Sequence, residues 1–348
     1  MRTIQTYRDF FLLAIVSLIL LSSAPTEARE APIAYPVPKT VSSELQALIS
    51  PTPLVKHWNA HPKNAAEWRE LVNKVAASAG PRIAAFREQL AVQSTPGSLG
   101  GVPIYTLRPK AVAQAHQDRV LLHIHGGGYV FYPGDTGTEE GIFMAALGKI
   151  VVVSVDYRMP PDHPYPAALD DVLAVYRALL KRYPPERIGV FGSSTGGGLT
   201  LALVLRAKAE GLPLPAAIAP GSPWSDLDKV GDSYFTHAGQ DNVLVTYDGW
   251  LGDAARLYAN GHDLRDPYLS PVYGDVTGFP PVFLTSGTRD LFLSNTVRMH
   301  LKLRAAGVPA ELMVFEGMSH VHYLADPAVP EVRQLFAELT GFFDRNMR

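Results

Sequence analysis

The chain contains no cysteine among its 348 residues. That excludes disulfides, thiolate nucleophiles and cysteine-ligated zinc, although it leaves the compartment open. Charge is sparse and balanced. Only 18% of residues are charged, the formal net charge is -2 and no long basic run occurs, so no nucleic-acid surface is expected. The glycine-rich loops match neither Gly-x-Gly-x-x-Gly nor Gly-x-x-x-x-Gly-Lys, which argues against dinucleotide and phosphate-loop nucleotide binding. No cofactor and no metal are expected. His322 stands two residues from His320, but without carboxylates at ligand spacing the two do not read as a metal pair. What the chain has in quantity is apolar residues, at 47%, enough for a large core in one big α/β domain or two smaller ones.

Long apolar runs are scarce too. The one at the N-terminus, Phe10 to Leu21, follows Arg2 and Arg8 and precedes Ser22-Ser23-Ala24 and Thr26-Glu27-Ala28. Basic residues, a short apolar run and then small residues form the order of a secretory signal. The run of about twelve residues is too short to span a bilayer comfortably. Residues 1–28 are therefore read as a signal peptide, with export to the periplasm or medium and no stable membrane span after cleavage. An uncleaved anchor is the alternative, and a lipoprotein is excluded because no cysteine follows the run. Residues 29–348 are read as a single catalytic domain.

Ala31 to Pro38 is proline-rich and reads as extended. Residues Val41 to Val92 read as helices, beginning near Ser42 and Ser43, with one helix over Ala65 to Ala79 and another from Pro81 to Leu90. His57 and His61 within them read as packing or surface residues. From Val102 onward short β-rich runs alternate with helical patterns. The strands are Val102 to Leu107, Val120 to Ile124, Ile150 to Val155, Ile188 to Phe191, Ala216 to Ala219, Pro281 to Thr285 and Glu311 to Phe315. Helices read at Gly141 to Leu147, Ala167 to Arg182, Leu199 to Glu210, Ser294 to Ala306 and Glu331 to Phe343. Continuous apolar strands in such alternation predict an α/β fold, a mostly parallel sheet covered by helices on both faces. Asp232 to Asn260, rich in aromatics, interrupts the rhythm and reads as a helical insertion.

The chemistry falls at the carboxyl ends of these strands, where such sheets bind ligands. Gly192-Ser193-Ser194-Thr195-Gly196 fits Gly-x-Ser-x-Gly between a strand and a helix, the setting of a nucleophile elbow. Only Ser194 lies midway between the two glycines, so Ser194 rather than Ser193 reads as the nucleophile. After Ile124 comes His125-Gly126-Gly127-Gly128, whose backbone N–H groups are unshielded by side chains and can face an oxyanion. Asp290 follows a late strand, and His320 follows the last one. Nucleophile, carboxylate and base thus occur in the order Ser194, Asp290, His320, the α/β-hydrolase order. In that reading His320 takes the Ser194 proton as the serine attacks an ester carbonyl, and Asp290 orients the imidazole.

Taken together, His125-Gly126-Gly127-Gly128, Asp156-Tyr157-Arg158, the run Pro161 to Asp171, the elbow and Gly317-Met318-Ser319-His320 resemble the hormone-sensitive-lipase family of α/β-hydrolase esterases. The resemblance covers about residues 100 to 345. Asp290-Leu291 with Ser294-Asn295 resembles its monoterpene-lactone hydrolase and acetyl-hydrolase branch. It implies an oxyanion hole from the N–H groups of Gly127, Gly128 and Thr195, and a cap over the pocket from residues 41–92 and 232–260. It also implies a small ester or lactone as substrate, a homodimer through an exposed late strand or helix among the partners, and Asp156 and Arg158 as buttresses. The elbow departs from the family's usual Gly-Asp-Ser-Ala-Gly: Ser193 and Thr195 replace Asp and Ala, which removes a carboxylate beside the nucleophile but no member of the triad. Lactone hydrolysis or natural-product deacetylation is the alternative activity, and a non-catalytic interaction protein or an amidase are the outside readings.

Overall fold

The computed structural model describes residues 35–49 and 53–348. The signal-peptide reading lies outside the described residues. Among them, eight strands form one sheet in the order β1-β2-β4-β3-β5-β6-β7-β8. The strands are β1 Val92–Leu99, β2 Val102–Pro109, β3 Val120–Ile124, β4 Val152–Val155, β5 Ile188–Ser193, β6 Ala217–Gly221, β7 Val282–Gly287 and β8 Ala310–Phe315. The first two pair antiparallel with each other, β2 pairs antiparallel with β4, and every later pairing is parallel.

Each expected strand is present within a few residues, and β1 is an addition; among the described residues the helical reading of Val41 to Val92 holds only over Ser43–Leu48 and Ala65–Gln89. The sequence of β1, VQSTPGSL, has no apolar alternation and carries Pro96 and Gly97. Those residues suit an edge strand, where one side of the backbone needs no ladder partner, and β1 bonds only to β2.

The second correction concerns Pro81. One helix runs through it, from Ala65 to Gln89. Proline lacks the N–H that would bond four residues back. The carbonyl left unserved belongs to Ala77, which is exposed, so water can satisfy it. The helix starts firmly: the Asn64 side chain accepts from the N–H groups of Ala66 and Glu67, each at 3.0 Å, and Glu67 accepts from Lys63 N–H at 2.8 Å. Before it, among the described residues, comes a single short helix, Ser43–Leu48. We label these α1 (Ser43–Leu48) and α2 (Ala65–Gln89).

Side chains alternate across the sheet, so each strand feeds two cores. Leu121, Phe191 and Phe283 point to one face, where α3 (Glu139–Gly148) and α9 (Pro330–Asn346) bury Phe143, Phe336 and Phe342. Leu122, Val190 and Leu284 point to the other, against α4 (Ala167–Leu180), α5 (Thr195–Ala209) and α8 (Leu293–Ala305). A large apolar side chain buried this way contributes roughly 1.5–3 kcal/mol. The insertion between β6 and β7 holds two helices, α6 (Ser233–Thr236) and α7 (Trp250–Ala259), joined by irregular chain.

Candidate active site

Ser194 stands between β5 and α5 with φ 61° and ψ -124°. A non-glycine residue there carries strain on the order of 1–3 kcal/mol and persists only where its neighbours hold it. Several do. Its N–H donates to Gly221 O at 2.9 Å, and its carbonyl accepts from Gly198 N–H at 3.0 Å and Trp224 N–H at 2.9 Å. The close passage of strand and helix leaves no room for a Cβ at Gly196, which would collide with the Ile124 carbonyl of β3.

Ser193 has another occupation. Its N–H and hydroxyl both donate to Glu140, at 3.0 and 2.7 Å, and its hydroxyl accepts from Tyr323 OH at 2.9 Å. Glu140 also lies 3.4 Å from His123 Nε2. The carboxylate missing from the elbow sequence is thus supplied from α3. Sequence reasoning missed it, because an acidic pair at a helix start reads as a response to the helix dipole.

The glycine loop leaves β3 at His125. Tyr157 OH donates to the His125 carbonyl at 2.8 Å, and the two rings stack with centroids 4.2 Å apart. Burial pushes the His125 imidazole down to about 3, so the ring is neutral. Its Nδ1 lies 2.7 Å from Gly126 O. A carbonyl only accepts, so Nδ1 carries the proton. Gly127 and Gly128 have φ of 113° and 65°, and the turn closes through Val130 and Phe131 N–H groups onto Gly127 O. A side chain at Gly128 would strike the Trp250 ring. Among the described residues, none supplies an acceptor for the N–H groups of Gly127, Gly128 or Thr195.

Asp290 and His320 meet. Asp290 Oδ1 accepts from His320 Nδ1 at 2.9 Å and from Phe292 N–H at 2.8 Å, while Oδ2 accepts from Ser286 Oγ at 2.7 Å. Burial works to raise the Asp290 carboxyl. The neighbouring imidazole, with the bonds from His320, Ser286 and Phe292, outweighs it and holds Asp290 below the ordinary carboxylate value. His320 Nε2 is buried and has no hydrogen-bond partner among the described residues. The His320 main-chain N–H donates to Asp241, at 3.2 Å, a fully buried residue of the insertion that no sequence motif marks. His322 accepts the Ser319 N–H at 3.3 Å, and burial, with His320 nearby, pushes it down to about 4. Among the described residues no group of three or more His, Cys, Asp or Glu is placed to hold a metal ion.

Ser194, His320 and Gly126, Gly127 and Gly128 line one cavity of about 790 Å³. Its walls include Leu54, Val55 and His57, Val75, Ala79 and Arg82 of α2, and Val243, Leu244 and Trp250 of the insertion. The two segments expected over the pocket therefore both reach it. His57 packs edge-on against Phe131, centroids 5.1 Å apart. On one side the wall is charged: Arg82 pairs with Glu139 at 2.5 Å, and burial raises Glu139 to about 7 despite that partner. Asp156 and Arg158 are not among the lining residues; Asp156 accepts from Gly134 N–H at 2.8 Å, and Arg158 forks onto Asp171.

A strained serine at a strand–helix turn, a glycine loop beside it and a buried carboxylate–imidazole pair after the last two strands now stand together on the sheet. A family profile described as alpha/beta hydrolase fold matches residues 121–324. The chain belongs to the α/β-hydrolase family. It is 35% identical to an acetyl-hydrolase of Streptomyces hygroscopicus over 67% of this chain and 78% of that one. Among solved structures it resembles an esterase, E25, with 44% identity and a TM-score of 0.88 over 92% of this chain and 99% of that one. It also resembles an esterase from the bacterial hormone-sensitive lipase family, with 29% identity and a TM-score of 0.70 over 82% and 99%. These relatives place the α/β-hydrolase among the carboxylic ester hydrolases.

Proposed function

We propose that this α/β-hydrolase cleaves carboxylic esters through an acyl-enzyme, with Ser194 as nucleophile, His320 as general base and Asp290 as the group that orients it. One observation carries the assignment. The Asp290–His320 hydrogen bond fixes the imidazole by Nδ1, and Nε2 is left without a partner among the described residues at the cavity that Ser194 also lines. A ring held that way can take the serine proton while Asp290 stabilises the imidazolium that forms. The N–H groups of Gly127, Gly128 and Thr195, which no acceptor among the described residues occupies, receive the oxyanion of the tetrahedral intermediate. Collapse expels the alcohol, protonated by His320. Water, activated by the same imidazole, then releases the acid.

The substrate is a short- to medium-chain or otherwise small apolar ester. Leu54, Val55, Val243, Leu244 and Trp250 support this, since apolar walls favour apolar acyl or alcohol groups. Likeness to an acetyl-hydrolase favours acetyl as the acyl group, so deacetylation of a larger alcohol is the second reading. Residues 1–28 act as an export signal, supported by their basic, apolar and small-residue order.

The test is hydrolysis of p-nitrophenyl esters of increasing chain length by the purified chain. Ser194→Ala is expected to lower kcat by about 10⁴- to 10⁶-fold. Ser193→Ala, the matching control, keeps kcat within about tenfold, because its hydroxyl is committed to Glu140. Turnover surviving Ser194→Ala within about tenfold of the unchanged enzyme would sink the assignment.

A further inference from the structure

Asp241 is fully buried in the insertion, beside the Asp290–His320 pair. Its Oδ1 accepts the main-chain N–H groups of Val243 at 2.8 Å and Leu244 at 3.0 Å. Its Oδ2 accepts those of Leu291 at 2.8 Å and His320 at 3.2 Å. Four N–H donors around two oxygens leave no acceptor for a carboxyl proton, so the setting suits the carboxylate. The donors come from three stretches of chain. Leu291 follows Asp290, His320 is in the loop after β8, and Val243 and Leu244 line the cavity.

We infer that Asp241 is a positioning residue for the hydrolysis, its carboxylate fixing the main chain of His320 and of the residue after Asp290 and joining both to the cavity wall at Val243 and Leu244. The inference rests on His320 being the base. Few titratable groups act on this cluster. Burial and the Asp290 charge hold the Asp241 carboxyl above its ordinary value, against the pull of His320 and of the N–H donors of Leu291 and Leu244. His322, held neutral by burial, adds no charge at neutral pH; His237 faces the pair, its ring Nδ1 2.9 Å from the Asp290 carbonyl and its own carbonyl accepting the Asp241 N–H. With four N–H donors on its two oxygens, Asp241 stands as a second carboxylate beside the imidazole. Asp290 binds its Nδ1–H directly, and Asp241 holds its backbone and adds a second negative charge that favours the imidazolium.

The sign of the test follows. The acid limb of kcat/KM reports protonation of the free base. Removing the Asp241 charge destabilises the imidazolium, so that limb must move to lower pH. In Asp241→Asn, assayed on a short p-nitrophenyl ester, we expect kcat to fall roughly 10- to 100-fold with KM within about threefold, and the acid limb to move down by about 0.5 unit or more. Asp241→Ser, smaller and equally neutral, carries the same expectation where Asp241→Asn does not fold. Asp241→Glu restores the acid limb to its original position. An unmoved acid limb in the neutral variants overturns the inference even if kcat falls, because mere loosening of the fold would do that. Hydrolysis that persists in Ser194→Ala instead overturns the triad assignment, whatever Asp241 does.

Discussion

The two sides of the site are built by different means. On the serine side, Ser194 and the glycine loop sit on adjacent strands β3 and β5, and geometry is imposed by backbone passing close to backbone. On the base side, Asp290 and His320 hang on loops after β7 and β8, and geometry is imposed by buried carboxylates that reach across long stretches of sequence. The serine side is exposed to failure by steric intrusion. The base side is exposed to failure by loss of charge. The lesson is that strain and charge, which are costly in isolation, can be stored where several independent bonds hold the same atoms.

The sharpest way to break the contrast is Gly196→Ala. Its Cβ must enter the space of the Ile124 carbonyl, which is backbone and cannot swing away. We expect a loss of at least about 4 kcal/mol, in the tail of single-site effects, read as loss of folded protein in urea titration. Asp290→Asn comes next and attacks the base side. The fold should survive, while kcat falls about 10³- to 10⁴-fold through a misoriented imidazole, read from steady-state kinetics. A wild-type rate in that variant would remove the base side from the mechanism.

Glu140→Ala probes whether the serine side also leans on charge. It strips a partner from the Ser193 N–H and hydroxyl and from His123. The cost should be about 1–3 kcal/mol in thermal unfolding, the penalty of buried donors left unpaired. The smallest effect at neutral pH is that of His322, which acts only as the pH falls. His322 titrates near 6.5 when unfolded and at about 4 when folded. Between those values the unfolded chain binds more protons, so this residue makes stability fall as pH drops from about 6.5 to 4. His322→Asn keeps an acceptor for Ser319 N–H but cannot titrate. Its unfolding free energy should lose about 2–3 kcal/mol less than the parent chain over that window, measured by urea titration at both ends.

The strands were readable because each buried one is a short, mostly apolar run, and β5 to α5 was readable because glycine, serine and glycine recur at a turn between two such runs. β1 was not, because an edge strand with Pro96 and Gly97 has little apolar pattern to display. The break expected at Pro81 failed because local propensity yielded to a helix whose Ala77 carbonyl is open to water. Asp290 and His320 could be picked out by their places after strands and by the order of the chain, and the hydrogen bond between them joins residues thirty apart. Glu140 and Asp241 could not, since an acidic residue, alone or in a pair at a helix start, carries no signal of burial. Their partners are chiefly main-chain N–H groups, which every sequence contains, with the Ser193 hydroxyl added at Glu140.

The order of residue types along the chain was therefore enough to determine the α/β alternation, the elbow at Ser194, the glycine loop after β3 and the pairing of Asp290 with His320 as candidates. Those features are local or follow from strand order, and local patterns are written in neighbouring residues. Only the tertiary structure decided that Ser193 is tied to Glu140 and that Asp241 lies beneath His320. It also decided that α2 and the insertion both reach the cavity. Each of these depends on which distant segments share a dehydrated space, where a charge persists only if N–H or O–H donors converge on it.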